Sequence, residues 1–392
     1  MLSIGLRFTL LAALLSFVPG GLADASTAMP SLTSAATRAQ IVAAVDRERK
    51  RYGGRTPVPG VLVGVWDGSG HSFILPVGFA DLKTRRPMSA ADHFRIGSNT
   101  KTFVVGVILQ LVDEGKLSLD DPLSRFSLGV TVPNAGKITV RQLCDMRSGL
   151  FEAFDAPPLA TMNVKPDSIW DSKQIIGWAV KQKPYFPPNG GYHYSNTNYL
   201  LLGLIIEAVT KDTVGNQIRK RLLEPLGLSQ TSYPDTMAMP DPWAHGYGLD
   251  KHRNWEDVSN TIPVSLMGSA GEMISDMGDM RRWITAYVSG KVSKPATHAA
   301  LMHCIPIGVG NLAFGLGLGC SAGWYGYTGG LPGYNTADYY FPKSGEFIVA
   351  WVPLQADKPQ PGVANAIFKA IASIVTPSNI PFVAGGQGKS GL

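Results

Sequence analysis

No apolar run in this 392-residue chain is long enough to span a bilayer, which takes about 20 consecutive apolar residues. The run Phe8 to Val18 falls short, and nothing later approaches it. Histidine is scarce, and its seven copies show no spacing of the His-Glu-x-x-His kind, so neither a bound metal nor another cofactor is expected. Arginine stops at Arg282, leaving Lys291, Lys294, Lys343, Lys358, Lys369 and Lys389 as the only cations of the C-terminal part. The net charge of +6 is spread along the chain, densest from Lys211 to Arg221. No basic run is interleaved with aromatics, which argues against a nucleic-acid partner. There is no internal repeat.

Cysteine is nearly absent as well. Cys144 reads as a buried thiol on a helix, whereas Cys304 and Cys320 flank one Gly-rich loop that a disulfide would close. Such a bridge needs an oxidising compartment. Residues 1–25 fit one: Arg7, the apolar run from Phe8, and the small-residue site Ala23-Asp24-Ala25 make a secretory leader. The chain is therefore expected to be exported, periplasmic or extracellular. The Gly-, Ser- and Pro-rich segment 377–392 reads as a mobile tail.

What is present is the balance of an ordinary globular protein, 45% hydrophobic and 16% charged. Helix is expected from Thr37 to Arg51. Val61–Trp66 and Ser72–Gly78, joined by Asp67-Gly68-Ser69-Gly70, read as a hairpin. Helices follow at Val140–Met146, Ser172–Lys181, Thr197–Thr210 and Val214–Leu223, then at Met277–Val288. Strand signals return at Asn335–Phe341 and Phe347–Val352, before a closing helix at Gly362–Val375. Strands at both ends with helices between them imply an α/β (α+β) fold: one antiparallel sheet flanked by helices, plus an all-α lobe. The expected layout is a single catalytic domain over 26–376, with its sheet part at about 37–115 and 266–376 and its α lobe at about 116–265.

The chain is organised around Arg95-Ile96-Gly97-Ser98-Asn99-Thr100-Lys101 and the apolar helix that follows through Val112. Ser98 is the only serine with lysine three positions on, a spacing that puts both on one helix face. That helix is apolar on nearly every side, so Lys101 stands at the edge of a dry core. There its amine loses part of its preference for the charged form, and the neutral amine can take the serine's proton. The plain alternative is a helix start with Ser98 as its cap. Tyr194-Ser195-Asn196 precedes another apolar helix, with Asn196 or Thr197 as its expected cap. Here Tyr194 is a candidate to move a proton between Ser98 and a leaving group, and Asn196 to hold a substrate amide. Tyr327-Thr328-Gly329-Gly330 reads as the start of a strand whose glycines let a ligand approach the backbone.

Together and in this order, the three motifs resemble those of the penicillin-recognising serine hydrolases: class C β-lactamases, D-alanyl-D-alanine carboxypeptidases, D-aminopeptidases and related esterases. Ile138 to Leu143, Ser148-Gly149-Leu150 and Gly268-Ser269-Ala270-Gly271 resemble further family stretches, and the likeness runs from about Val61 to Pro353. The resemblance implies a serine β-lactamase/DD-peptidase-like fold and an acyl transferase in which Ser98 attacks while Lys101 and Tyr194 move protons. It further implies that the N–H groups of Ser98 and Gly330 form the oxyanion hole, and that Asn196, Tyr327, Thr328 and Gly329 contact substrate. A small-molecule or peptide substrate follows, cell-wall peptides included. An inactive relative that only binds such peptides is the alternative. One departure matters: the third motif usually begins with Lys or His, and here it begins with the neutral phenol of Tyr327. This points to uncharged esters or amides.

Gly319-Cys320-Ser321-Ala322-Gly323 also fits the Gly-x-Ser-x-Gly elbow of α/β-hydrolases. That fold needs a helix after the serine and a later histidine, yet the last histidine is His303. Ser321 is read as a strand-loop residue.

Overall fold

The computed structural model describes residues 30–53, 58–162, 164–354 and 362–382. The expected leader lies outside them, as does the tail from residue 383. The strands, in chain order, begin with β1 Gly60–Trp66, β2 Ser72–Asp81, β3 Arg86–Pro87 and β4 Phe94–Arg95. Then come β5 Tyr247–Leu249, β6 Trp255–Asp257 and β7 Ile274–Ser275, followed by β8 Ile305–Val309, β9 Leu312–Gly315 and β10 Leu318–Ser321. The last three are β11 Trp324–Leu331, β12 Tyr334–Phe341 and β13 Glu346–Val352.

Nine of them form one antiparallel sheet in the order β3-β2-β1-β13-β12-β11-β10-β9-β8. The two ends of the chain therefore meet in its middle, where Val63 faces Ala350 in the register of β1 with β13. Both strands are buried throughout, because each side of the sheet is covered. Val61, Val63, Val65, Ile348 and Ala350 pack on the helices Ala35–Gly53 and Val363–Val375 through Ile41, Val45, Ile367 and Phe368. Leu62, Val349 and Trp351 point the other way, into the core that holds Phe103, Val107 and Ile108 of the helix Thr100–Asp113. Fully burying one such aliphatic side chain contributes about 1.5–3 kcal/mol. That helix runs through the core, as its apolar faces predict, with every residue from Thr100 to Leu109 buried. Its one isolated polar residue, Gln110, donates to the Val292 carbonyl at 3.2 Å.

Four differences separate the structure from the sequence reading. The strands β8 to β10 were not expected, because Gly308, Gly310, Gly315, Gly317 and Gly319 break up the apolar alternation by which strands are recognised. The lobe between the sheet segments is not all helix: β5 and β6 pair as a short ribbon. The helix expected over Val140–Met146 ends at Cys144, since Met146 takes the left-handed φ of 62°. Pro377 to Phe382, expected to hang free, is tied down. The Trp324 indole donates to the Asn379 carbonyl at 3.1 Å, and the Phe382 N–H donates to Ser321 Oγ at 2.8 Å.

Cys304 and Cys320 form a disulfide that staples the approach to β8 onto β10, and Cys144 is a buried free thiol. Closing a loop of 16 residues constrains the unfolded chain by about 3 kcal/mol. The double variant Cys304→Ala/Cys320→Ala is expected to lose about that much unfolding free energy, read from the urea unfolding curve. Peptide mapping without reduction should recover the two half-cystines as one linked pair.

Candidate active site

The site is assembled where the sheet meets the lobe. Residue pairing of Arg95 with Ile274 in β4 and β7, and the Ile96 N–H donating to the Met273 carbonyl at 3.0 Å, hold the chain just before Ser98. Ser98 lies in a single 3-10 turn, Gly97–Asn99, that leads into the Thr100–Asp113 helix rather than in the helix itself. Gly97 has φ 52°, and a Cβ there would stand 3.0 Å from the Gly330 nitrogen. Only glycine lets the turn lie this close to β11.

The structure brings Ser98, Lys101, Tyr194 and Asn196 together. Ser98 Oγ is 2.8 Å from Tyr194 Oη and 3.0 Å from Lys101 Nζ. Lys101 is fully buried, and Nζ also lies 2.8 Å from Asn196 Oδ1 and 2.6 Å from the Ala270 carbonyl oxygen. Burial lowers the Lys101 pKa to about 7, against an opposing pull from the Glu152 charge. A neutral amine has two N–H groups and one lone pair. Two of its neighbours, the Asn196 and Ala270 oxygens, can only accept; the third, the Ser98 hydroxyl, can donate to the lone pair. Burial raises the pKa of Tyr194, so its phenol stays protonated and donates to Ser98 Oγ. When the amine is neutral, these contacts let protons run in one direction, from Tyr194 to Ser98 to Lys101.

Glu152 is the residue that sequence reasoning missed. Its carboxylate accepts from the backbone N–H of Asn196 at 2.5 Å, from Asn196 Nδ2 at 2.9 Å and from the Phe154 N–H at 3.0 Å. The N-cap of the Asn196–Thr210 helix is therefore Ser195, not Asn196 or Thr197, and the Ser195 hydroxyl donates to the Phe151 carbonyl at 3.1 Å. The free N–H at the helix start is satisfied by a carboxylate from another segment. Its trace in the sequence is a lone acid within Leu150-Phe151-Glu152-Ala153-Phe154, a run otherwise suited to burial. Glu152 is only 3% exposed.

The third motif lies within β11 rather than at its start. Tyr327 is buried, and burial together with the neighbouring Tyr194 holds its phenol well above the usual tyrosine range. Its hydroxyl is close enough to act on Tyr194, yet makes no hydrogen bond of good geometry among the described residues. Thr328 is half-buried. A Cβ at Gly329 would fall 2.0 Å from the Ile96 carbonyl oxygen, so the strand needs glycine there to reach the Ser98 turn. Gly330 is exposed, and its N–H borders that turn. Ser321 stands apart: its hydroxyl donates to Asn311 Oδ1 at 2.5 Å and accepts from the Phe382 N–H, as befits a strand-loop residue. Among the described residues no three His, Cys, Asp or Glu side chains are placed to hold a metal ion, and no helix is long and apolar enough to cross a membrane.

The sequence model of the beta-lactamase family matches residues 43–371. A penicillin-binding protein of Bacillus subtilis strain 168 is 26% identical over 297 residues, 68% of this chain and 61% of that protein. A D-aminopeptidase of Brucella anthropi is 30% identical over 207 residues, 53% of this chain and 38% of that protein. The chain thus spans less than two thirds of the length of these curated relatives. Among solved structures, a D-stereospecific amidohydrolase from Streptomyces sp. superposes with a TM-score of 0.73 at 29% identity, over 83% of this chain and 98% of that one. A D-amino acid amidase from Ochrobactrum anthropi SV3, solved with D-phenylalanine, shares the fold with a TM-score of 0.75 at 24% identity, over 86% of this chain and 99% of that one.

Proposed function

The chain belongs to the beta-lactamase family, and we propose that it is an exported serine hydrolase that works through an acyl-enzyme on Ser98. The observation that carries this reading is the placing of Ser98 Oγ between a fully buried lysine amine at 3.0 Å and a protonated tyrosine hydroxyl at 2.8 Å. The neutral Lys101 amine takes the hydroxyl proton as Ser98 Oγ bonds to the substrate carbonyl carbon. The oxyanion is received by the N–H groups of Ser98 and Gly330. Tyr194 hands its proton to the leaving amine or alkoxide, and the proton held by the Lys101 ammonium then restores the phenol, which leaves both groups neutral beside the acyl-enzyme. Water then attacks the ester carbonyl, gives its proton to the same base, and frees the acid and Ser98. Asn196 and Glu152 aim the Lys101 amine. The Cys304–Cys320 disulfide supports export, since such bridges persist in oxidising compartments.

Tyr194→Phe keeps the ring and removes the proton carrier. Acylation by an amide substrate is expected to slow by about 10²–10⁴-fold, read by stopped-flow, with a smaller loss on an ester whose leaving group needs no proton. Equal losses on both would remove Tyr194 from the role of proton donor.

The substrate class follows from Tyr327. A free carboxylate on the substrate calls for a cation, and the third motif offers a buried phenol instead. We read the preferred substrates as uncharged amides or esters, D-aminoacyl amides among them. A charged hydrogen bond contributes about 1.5–3 kcal/mol, so kcat/KM for a D-Ala-D-Ala peptide amide or methyl ester should exceed that for the free acid by about ten- to a hundredfold. β-Lactam hydrolysis should be slow for the same reason. A preference for the free acid would mean that a cation such as Arg147, whose charge acts on Tyr192 near the second motif, reaches the substrate.

A further inference from the structure

Directly beneath the nucleophile turn lies a buried polar cluster that the mechanism above does not use. Asp338, on β12, is completely buried. Its Oδ2 accepts from Asn99 Nδ2 at 2.9 Å, and its Oδ1 accepts from Trp351 Nε1 at 2.9 Å. The second N–H of the Asn99 amide goes to Thr336 Oγ1 at 3.0 Å, and that hydroxyl donates to the Ile96 carbonyl at 3.2 Å. Among the described residues no cation is paired with the carboxyl. Burial pushes its pKa up to about 8, against the two hydrogen bonds that favour the anion. Asn99 Oδ1 is buried with no hydrogen-bond partner among the described residues.

This arrangement is costly as a way of holding a core together. Leucine or methionine in both places would fill similar volume without desolvating a carboxyl or leaving an amide oxygen unpaired. Asn99 immediately follows Ser98, ends the 3-10 turn and begins the core helix. A side chain pinned at Asn99 therefore fixes the direction in which its neighbour leaves the backbone. Two of the polar links, Asn99 to Asp338 and Thr336 to Ile96, bind the two ends of the turn to the same strand.

We propose that Asp338 is a positioning residue for Ser98: through Asn99 it locks the Gly97–Asn99 turn to β12, so that Ser98 Oγ points at Lys101 and the Ser98 N–H stands beside that of Gly330. The proposal rests on Ser98 being the nucleophile.

The test uses the full chain and p-nitrophenyl acetate, measuring the saturating acylation rate and the half-saturating ester concentration by stopped-flow. Asp338→Asn keeps a planar group whose amide oxygen can accept from Trp351 Nε1 and whose NH2 can donate to Asn99 Oδ1 once that amide turns over, and is expected to acylate within about threefold of wild type. Asp338→Leu releases Asn99 and is expected to acylate about 10- to 100-fold more slowly, the scale of misplacing a reacting group by about 1 Å. Half-saturation should move by less than about threefold. The double variant Asn99→Leu/Asp338→Leu removes both polar partners, which favours folding, and should acylate as slowly as Asp338→Leu. Wild-type acylation in either leucine variant, or an equal loss in Asp338→Asn and Asp338→Leu, would overturn the proposal. Failure of the Ser98 reading itself would show differently, as an absence of acylation at Ser98 in the wild-type protein.

Discussion

Replacing Ser98 by alanine is expected to lower kcat/KM on an activated ester by at least about 10⁴-fold, the scale seen when a nucleophile that acts as part of a unit is removed. Ser98 is half-buried, and its side chain contributes two hydrogen bonds within the described residues. The exchange should therefore leave the fold nearly untouched. A circular-dichroism melt within a few degrees of wild type, beside the lost activity, separates chemistry from stability. If the alanine variant kept more than about a hundredth of the activity, the hydrolysis would come from a different nucleophile.

The second large effect belongs to Lys101. Lys101→Met fills similar volume with a side chain that cannot accept a proton, and acylation should fall by about 10²–10⁴-fold. The pH profile carries more information than the loss alone. The amine works as a base only when neutral, and burial places its pKa at about 7. Wild-type kcat/KM should fall as pH drops through about 7 and level off above it, because protonation there removes the base. The methionine variant should show no such acid limb. A wild-type limb near the usual lysine value of 10.5 would mean that Lys101 is charged at neutral pH and that another group accepts the serine proton. The Glu152 charge acts against burial by favouring the ammonium form, so its place beneath Asn196 tempers how far the amine is driven toward neutrality.

Most of the fold was legible because its apolar patterns are strong. The all-apolar helix after Lys101, the Val61–Trp66 strand and the Phe347–Val352 strand each require cover on every side, and that requirement brings the chain's two ends into one sheet. The β8 to β10 meander was not legible, since Gly308, Gly310, Gly315, Gly317 and Gly319 interrupt the apolar alternation of short strands, even though each strand pairs with its neighbour in the chain. The site divides along the same line. Ser98 and Lys101 are joined by local helical spacing, and Tyr194 and Gly329 could be found through the company they keep. Glu152 and Asp338 act across distances of many residues along the chain. Nothing in the sequence around Asp338 marks it as lying under Asn99, and only the register of β12 between β11 and β13 puts it there.

Tyr327 is the element in which sequence and structure together define what is distinctive. The sequence shows that a cation is missing. The structure shows that the phenol in its place is buried against Tyr194 and Phe314, at 5.8 Å between the Phe314 and Tyr327 rings, rather than turned out as a substitute donor.

The central claim is a covalent acyl group on Ser98, and intact-mass spectrometry after brief exposure to p-nitrophenyl acetate, quenched in acid, tests it most directly. The account predicts one acetyl adduct on the wild-type protein, located by peptide mapping to the segment that contains Ser98, and none on Ser98→Ala. An adduct of equal yield on Ser98→Ala, or a wild-type adduct mapped to any other residue, would contradict it.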